Sequence, residues 1–253
     1  MVGAGVMGSG IAQTLAVVGL EVVCCDVDPA ALDQARSLVR SGRFGLERAV
    51  ARGKLTQAQA DATLSRLQWA AVADPATAVA DVDLVVEAVP EDLQLKRDLF
   101  ARLDRCTRPE AVLATNTSGL SIAAVAAATT RPDRVIGWHW ASPAPVMPLA
   151  EIVVTDQTSE AACRWVVDLA RRCGKNPVVV RDNPMTWGHV GNRVYFAALR
   201  EAQAVVDEGL TDPAGVDRIM TDGFGWPVGP FGMGKGAGTG WEQPPPGGDS
   251  SSR

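Results

Sequence analysis

Short apolar runs alternate with amphipathic stretches over about the first 180 residues of the chain. The apolar runs end at polar or turn residues, which is typical of strands buried on both faces of a parallel sheet. Between them, apolar positions recur three or four residues apart, as in helices packed on such a sheet. The predicted strands lie at residues 22–26, 69–72, 83–88, 112–114, 135–138, 151–154 and 177–180. This alternation predicts an α/β fold with a mostly parallel sheet.

Local signals mark where several of the predicted helices begin. Asp28-Pro29 is an N-cap followed by a first-turn proline, and Thr56 with Gln59 forms a capping-box pattern. Pro90-Glu91 is expected to open a helix that runs to about residue 103, because proline and an acid both suit the first turn. Other helices are predicted between the glycine turn and Gly19, at about residues 46–52, between Val154 and Gly174, and at about residues 192–208, with a further one beginning near residue 212.

The alternation stops at Asp182-Asn183-Pro184, and beyond it the pattern predicts helices only. We therefore predict an α/β domain over residues 1–183 and a partial helical domain over residues 184–240. Residues 241–253 are expected to form a disordered tail, because residues 244–253 are proline, glycine, aspartate, serine and arginine without an apolar side chain to pack.

Gly3, Gly5 and Gly8 form a GxGxxG pattern ahead of an apolar helical run. In a dinucleotide-binding turn, the first glycine permits a tight bend, the second leaves room for a pyrophosphate and the third lets the helix pack on its strand. The helix N-terminus then faces the anion. The same spacing also occurs in loops that bind nothing. Only Met1 and Val2 precede the turn, whereas a strand usually has about five residues, so the sequence predicts an almost absent first strand.

Asp26 ends the first apolar run beyond the glycine turn. It lies about 20 residues after the glycines, where an acid in dinucleotide-binding folds accepts hydrogen bonds from the adenosine ribose. An acid there would repel a 2′-phosphate, so NAD is favoured over NADP. The alternative is a turn residue at the end of a strand. With the alternation, these features predict a Rossmann-type doubly wound sheet followed by an all-helical C-terminal domain.

Composition narrows the classes of function. The chain has 253 residues and is 47% hydrophobic, which is enough to bury a substantial core in one or two domains. Its net charge of −5 argues against a general nucleic-acid binder, although a local basic pocket is compatible with it. The apolar runs are shorter than the roughly 18 residues of a membrane span. The five cysteines show no CxxC spacing and are interpreted as reduced, structural residues of a cytoplasmic protein.

Polar residues follow the predicted strands at the edge where ligands of open α/β sheets bind. Glu91 and Lys96 follow one strand, and Asn116 and Ser118 follow the next. All four could reach a bound dinucleotide. Taken singly, each also fits a structural role, namely a helix N-terminal acid, a solvated lysine, a turn asparagine and an N-cap serine.

His139 ends a predicted strand, and a proline-rich turn connects it to the strand that contains Glu151. If these strands pair, the imidazole and the carboxylate can meet, which is how a general base is oriented near neutral pH. The alternative is a strand-end histidine bonded to backbone. His189 has no evident carboxylate partner, so we interpret it as structural.

Taken together, the motifs resemble the 3-hydroxyacyl-CoA dehydrogenase family, of the 3-hydroxybutyryl-CoA dehydrogenase type. The likeness covers about residues 1–233. The matching segments are Gly3-Ala4-Gly5-Val6-Met7-Gly8-Ser9-Gly10-Ile11-Ala12, Gly53-Lys54-Leu55-Thr56, Val86-Glu87-Ala88-Val89-Pro90-Glu91, Thr115-Asn116-Thr117-Ser118, His139 with Pro143, Pro145-Val146-Met147 and Glu151, Asn192-Arg193, and Gly229-Pro230-Phe231.

The resemblance implies an NAD-dependent oxidation of the 3-hydroxyl of an acyl-CoA in fatty-acid metabolism (β-oxidation), or the reverse reduction. His139 would take the hydroxyl proton and Glu151 would orient it, while Ser118 and Asn192 would contact the substrate oxygen. No metal is implied, and relatives suggest a homodimer. The implied cofactor contacts are Gly3, Gly5, Val6, Met7, Gly8, Asp26, Glu91, Lys96 and Asn116.

The sequence departs from the family pattern in several places. Ser142 stands where the family usually has asparagine, the loop between Asp182 and Asn192 is longer, and the helical domain gives way early to the glycine- and proline-rich tail. We therefore expect a copy shortened at both ends. Two further functions stay open: a dehydrogenase of a non-CoA hydroxy acid, of the gulonate or carnitine type, and an inactive NAD-binding remnant.

Overall fold

The computed structural model describes residues 1–238, so the predicted disordered tail at 241–253 lies outside the described residues. The chain divides into two compact units, one comprising Met1–His189 and the other beginning at Val190.

The first unit is built on a mostly parallel sheet. Its strands are β1 (Val22–Asp26), β2 (Leu67–Ala71), β3 (Leu84–Glu87), β4 (Val112–Thr115), β5 (Val135–Trp140), β6 (Leu149–Val154) and β7 (Asn176–Arg181). β1 pairs with β2, and the other strands follow in the order β3-β4-β5-β6-β7. All neighbouring strands are parallel except β5 and β6, which are antiparallel. The predicted strands are thus confirmed, and β7 is an edge strand.

A short segment at the start of the chain joins the two parts of this sheet. Val2 forms parallel bridges to Cys25 of β1 and to Glu87 of β3. Its N–H donates to Val86 O over 2.9 Å, and its carbonyl accepts from Ala88 N over 2.8 Å. The first strand is as short as the sequence predicts, yet it is paired on both sides.

Helices cover both faces of the sheet. They are α1 (Val6–Val17), α2 (Pro29–Ser41), α3 (Leu46–Ala51), α4 (Gln57–Ser65), α5 (Leu93–Cys106), α6 (Ile122–Ala126) and α7 (Glu160–Arg172). One buried apolar cluster contains side chains of α1, α2 and α7, and a second contains side chains of α5 and α6. Two cores on opposite faces explain why the strands are apolar on both sides, as in a doubly wound fold.

Most of the predicted helix signals act as expected, and one is wrong. Asp28 caps α2, and Thr56 with Gln59 forms the capping box of α4. Pro90-Glu91 does not open α5. Asp92 caps that helix instead, because its carboxylate accepts a hydrogen bond from Leu95 N over 2.7 Å. The helix α6 was not predicted, although Ser121 caps it by accepting a hydrogen bond from Ala124 N.

Cys24 and Cys25 lie buried in β1, as the apolar run predicts. Burial raises the pKa of the Cys24 thiol to about 12. Because a buried thiol with a high pKa stays protonated, this residue packs as a small apolar side chain.

The second unit is helical over its described residues. It contains α8 (Val190–Asp207), α9 (Pro213–Phe224) and α10 (Pro230–Gly238). The helix α9 begins where the sequence predicts, and Asp212 caps it. Asp217 of α9 accepts hydrogen bonds from Phe231 N and Gly232 N, each over 2.9 Å, and so satisfies first-turn donors of α10. Within residues 1–238, no helix is both long and apolar enough to cross a membrane.

We expect replacement of Val2 by alanine to lower the free energy of unfolding by about 2 kcal/mol, because two buried methyl groups are lost and a cavity is left at the centre of the sheet. Urea denaturation measures this loss. Val27→Ala, at an exposed position just after β1, is the matched control and should change stability by less than about 0.5 kcal/mol. An equal loss of unfolding free energy in the two variants would contradict the view that the buried side chain of Val2 stabilises the centre of the sheet.

Candidate active site

The three glycines of the turn have different structural roles. Gly3 has φ +95°, and a Cβ there would lie 2.6 Å from Ala88 O. A Cβ on Gly8 would lie 1.9 Å from Gly3 O, so the turn and α1 can pack only around glycine. A Cβ on Gly5 would meet no atom within 4 Å. The open space at Gly5 therefore faces away from the protein, where a ligand could approach the backbone.

The first turn of α1 lies beside this space. Gly5 is its N-cap and provides no side-chain hydrogen bond, and the first turn contains no acidic residue. The first N–H groups of an α-helix have no partner within the helix. With the positive end of the helix dipole, they form a site suited to an anion such as a pyrophosphate.

Asp26 is bound to the glycine turn from the end of β1. Its Oδ2 accepts a hydrogen bond from Ala4 N over 2.7 Å, and its Oδ1 accepts one from Asp28 N over 3.0 Å. The residue is therefore a turn residue at the end of a strand. The same contacts also fix its carboxylate next to the turn, so the two interpretations of Asp26 are compatible.

A buried ion pair lies under the loop that follows β3. Lys96 Nζ is 2.6 Å from Glu87 Oε1, and the two side chains are 1% and 0% exposed. Glu87 also accepts hydrogen bonds from Val89 N over 2.6 Å and from Thr115 Oγ1 over 2.7 Å. Because this carboxylate is charged and buried, these donors compensate for the water that it loses. Lys96 is thus not the solvated lysine of the alternative interpretation.

Glu91 connects the loop after β3 to the loop after β4. Its Oε1 accepts from Thr117 Oγ1 over 2.6 Å and from Ser118 N over 2.9 Å. Its Oε2 lies 3.4 Å from Lys96 Nζ. This network explains why Glu91 is not part of α5: its carboxylate binds the neighbouring loop. The two loops converge, as the sequence predicts.

His139 and Glu151 meet across the antiparallel strands β5 and β6. They are direct partners in the register, and His139 Nδ1 lies 2.7 Å from Glu151 Oε2. The side chains are 13% and 4% exposed. An ionised carboxylate only accepts hydrogen bonds, so Nδ1 carries the proton of the neutral imidazole. Its Nε2 then holds the lone pair that can accept a proton.

Asn116 attaches the loop after β4 to the strand that carries the histidine. Its Oδ1 accepts a hydrogen bond from Trp140 N over 3.0 Å. The asparagine is therefore more than a turn residue, because it fixes the end of β5 next to His139. The side-chain amide that remains on the other side of Asn116 can donate to a ligand.

His189 lies beside His139, and the sequence did not indicate this proximity. The two ring centroids are 5.5 Å apart. His189 is buried, and its Nε2 lies 3.1 Å from Thr117 O. Burial is the main cause that lowers the pKa of His189, with the nearby His139 as the next cause.

Known proteins are similar to this chain in sequence and in fold. The family model of the NAD-binding domain of 3-hydroxyacyl-CoA dehydrogenase matches residues 1–183, and the model of the C-terminal domain matches residues 188–244. The chain belongs to the 3-hydroxyacyl-CoA dehydrogenase family.

Individual members of the family are similar over most of their length. A probable 3-hydroxybutyryl-CoA dehydrogenase of Deinococcus radiodurans is 38% identical over 91% of this chain and 80% of its own. The crystal structure of (S)-3-hydroxybutyryl-CoA dehydrogenase from Ralstonia eutropha is 38% identical, with a TM-score of 0.83 over 90% of this chain and 78% of that chain. A diketoreductase that acts on dicarbonyl compounds is 33% identical, with a TM-score of 0.79 over 91% of this chain and 79% of that chain.

For this member of the 3-hydroxyacyl-CoA dehydrogenase family, most of the residues singled out in the sequence lie in the first unit. The glycine turn contacts Asp26, while Glu91, Lys96 and Ser118 belong to one polar network. Asn192 lies in the second unit, half-buried near the start of α8. Ser142 precedes Pro143 through a cis peptide bond.

Sequence reasoning missed several residues that support the site. Glu87 was assigned only to a strand, although it is the buried partner of Lys96. Lys175 is also buried, and its Nζ donates to Ala144 O over 2.6 Å and to Met147 O over 2.9 Å in the turn after His139. Burial lowers the pKa of Lys175. A lysine that follows a helix-terminal glycine gives no signal of such distant partners.

We expect replacement of Lys96 by methionine to lower the free energy of unfolding by about 3–5 kcal/mol, because it leaves the Glu87 carboxylate buried without its cation. Urea denaturation measures the loss. Combining it with Glu87→Gln should restore part of the stability, since the uncompensated charge is then removed.

The matched control for this double-mutant cycle is Arg164→Met, which breaks the exposed pair between Arg164 and Glu160 on α7. Exposed pairs contribute about 0–1 kcal/mol. Additive effects of the Glu87 and Lys96 substitutions would show that the two buried side chains do not interact.

Proposed function

We propose that the chain catalyses NAD-dependent oxidation of the 3-hydroxyl of a 3-hydroxyacyl-CoA to the 3-keto group, or the reverse reduction. The observation that carries this proposal is the contact between His139 and Glu151 at 2.7 Å, in a protein of the 3-hydroxyacyl-CoA dehydrogenase family. The named activity of the Deinococcus and Ralstonia relatives supports the same reaction.

The geometry of the glycine turn fits a bound NAD. Gly5 leaves open the position where a Cβ would block the backbone, and α1 begins there without a side-chain cap. We propose that the Gly3, Gly5 and Gly8 turn, with Val6 and Met7, holds the pyrophosphate. Asp26 would accept hydrogen bonds from the ribose and so favour NAD over NADP. Glu91, Lys96 and Asn116 would support the nicotinamide half.

The chain's own residues provide the proton transfer. His139 Nε2 accepts the proton of the substrate hydroxyl, and Glu151 stabilises the imidazolium through the hydrogen bond at Nδ1. Ser118, and Asn192 of the second unit, are proposed to bind the substrate oxygen and to orient the reacting carbon. A bound nicotinamide supplies the hydride acceptor of this reaction.

A non-CoA hydroxy acid or carbonyl compound is the second candidate substrate. The similarity to a diketoreductase favours this second candidate, because that enzyme acts on dicarbonyl compounds. Rates of NADH oxidation with acetoacetyl-CoA and with free acetoacetate separate the two candidates. NADH binding without turnover of either compound would indicate the inactive NAD-binding protein instead.

We further propose the cellular setting and organisation that the family resemblance implies. The α/β domain at 1–183 would bind NAD, and the helical region at 184–240 would contribute to substrate binding and to a homodimer. The protein would act in the cytoplasm on acyl-CoA substrates. Size-exclusion chromatography with light scattering tests the dimer.

Replacement of His139 by glutamine should lower kcat with acetoacetyl-CoA at least about 100-fold, because the general base is lost. The Kd for NADH should stay within about twofold. Steady-state kinetics and NADH fluorescence titration measure the two quantities. Glu151→Gln should also lower kcat, whereas Glu160→Gln removes an exposed carboxylate of α7 and serves as the control. Normal turnover of the His139 variant would sink the assignment of the base.

Replacement of Gly5 by alanine should weaken NADH binding at least about tenfold and leave the urea midpoint unchanged. The added Cβ meets no protein atom within 4 Å, so only an approaching ligand would clash with it. Gly223→Ala, at another open position on α9, is the control for the substitution itself. Unchanged NADH affinity would place the pyrophosphate elsewhere.

A further inference from the structure

The segment that ends the first unit is bound to the loop after β4. Gly188 N donates to Gly119 O over 3.1 Å, and His189 N donates to Ser118 O over 3.3 Å. A Cβ on Gly119 would lie 2.3 Å from Gly188 N, so the two backbones are in close contact. The segment thus covers the loop that contains Ser118.

The side chain of His189 adds a third hydrogen bond to this loop. Its Nε2 lies 3.1 Å from the carbonyl oxygen of Thr117. Because a carbonyl can only accept, Nε2 carries the proton of His189. The hydroxyl of Thr117 in turn donates to Glu91 over 2.6 Å. The loop is therefore fixed from one side by a carboxylate and from the other side by an imidazole.

The same imidazole flanks the proposed base. The ring centroids of His139 and His189 are 5.5 Å apart and the ring planes are inclined by 59°. We propose that His189 is a positioning residue, which fixes the Thr117–Gly119 loop against the His139 imidazole through its Nε2–H. This inference rests on the proposed function, and it names a residue outside the matching segments given above.

The surroundings decide which histidine accepts a proton. His139 has the Glu151 carboxylate at 2.7 Å, whereas His189 has a carbonyl at its Nε2. His139 also disfavours a charge on His189, while Glu151 and Asp182 act in the opposite direction. Burial is the largest of these causes and lowers the pKa of His189, which favours the neutral ring that donates from Nε2 to Thr117 O.

Two substitutions distinguish the contribution of the Nε2–H donor of His189 from that of its ring. His189→Gln keeps an amide N–H near the position of Nε2 and loses the ring, whereas His189→Phe keeps a ring and loses the donor. We expect His189→Phe to lower kcat about tenfold or more, because a misplaced loop costs orientation of the reacting groups. The Kd for NADH should stay within about twofold. His189→Gln should retain at least about half of the wild-type kcat.

Three kinetic outcomes would overturn the proposal. The first is a wild-type kcat in His189→Phe. The second is an equal loss of kcat in both variants, which would assign the effect to the bulk of the ring. The third is a loss of kcat that parallels a fall in urea midpoint and in NADH affinity, as a merely structural role would produce.

NMR of the untagged protein tests the arrangement without turnover. The chain contains two histidines, so ¹⁵N-labelled imidazoles give two assignable patterns. We expect one pattern to disappear in His139→Gln. The other should show an Nε2–H imidazole at neutral pH and disappear in His189→Gln. A neutral Nδ1–H form of His189 would overturn the proposal. Absence of wild-type turnover with a neutral Nε2–H His189 would reject the proposed reaction and leave the positioning geometry established.

Discussion

The backbone pairing of Met1–Gly3 is the interaction on which the rest of the first unit depends. These few residues hydrogen-bond to β1 on one side and to β3 on the other, so they join β1 and β2 to the other five strands. The glycine turn begins directly at their end. Because Gly3 is held by Cys25 O and by close contact with Ala88, the open position at Gly5 is fixed relative to the ends of β1 and β3. Val2 is thus paired with β1 on one edge and with β3 on the other.

The loops at this edge are organised by charged groups that water does not reach. Glu87 lies at the end of β3 and collects donors from Lys96, from Thr115 and from its own loop. A carboxylate that is fully buried is stable only when such donors surround it. Glu87 at the end of β3 is therefore bonded to α5 through Lys96 and to the end of β4 through Thr115. Glu91 extends the same network to the surface of the site through Thr117 and Ser118.

The parts of the structure that sequence reasoning predicted are those that depend on local or periodic signals. The strands, the caps at Asp28 and Thr56 and the pairing of His139 with Glu151 follow from runs, capping residues and the length of the intervening turn. The start of α5 was predicted wrongly because it depends on a contact between residues that are distant in the sequence. Pro90-Glu91 looks like a helix start, but Glu91 binds a loop 26 residues further along the chain, and Asp92 caps the helix.

The sequence does not indicate that His189 lies beside His139. Fifty residues separate it from His139, and no carboxylate lies near it in the sequence, so only the folded chain brings the two rings together. Two imidazoles at this distance cannot both be protonated at low cost, because like charges repel and one ring is buried. The structure resolves this conflict through unequal partners: a carboxylate for His139 and a carbonyl for His189. The asymmetry suits His139 to the proton exchange proposed above, while the imidazole of His189 donates to the loop that follows β4.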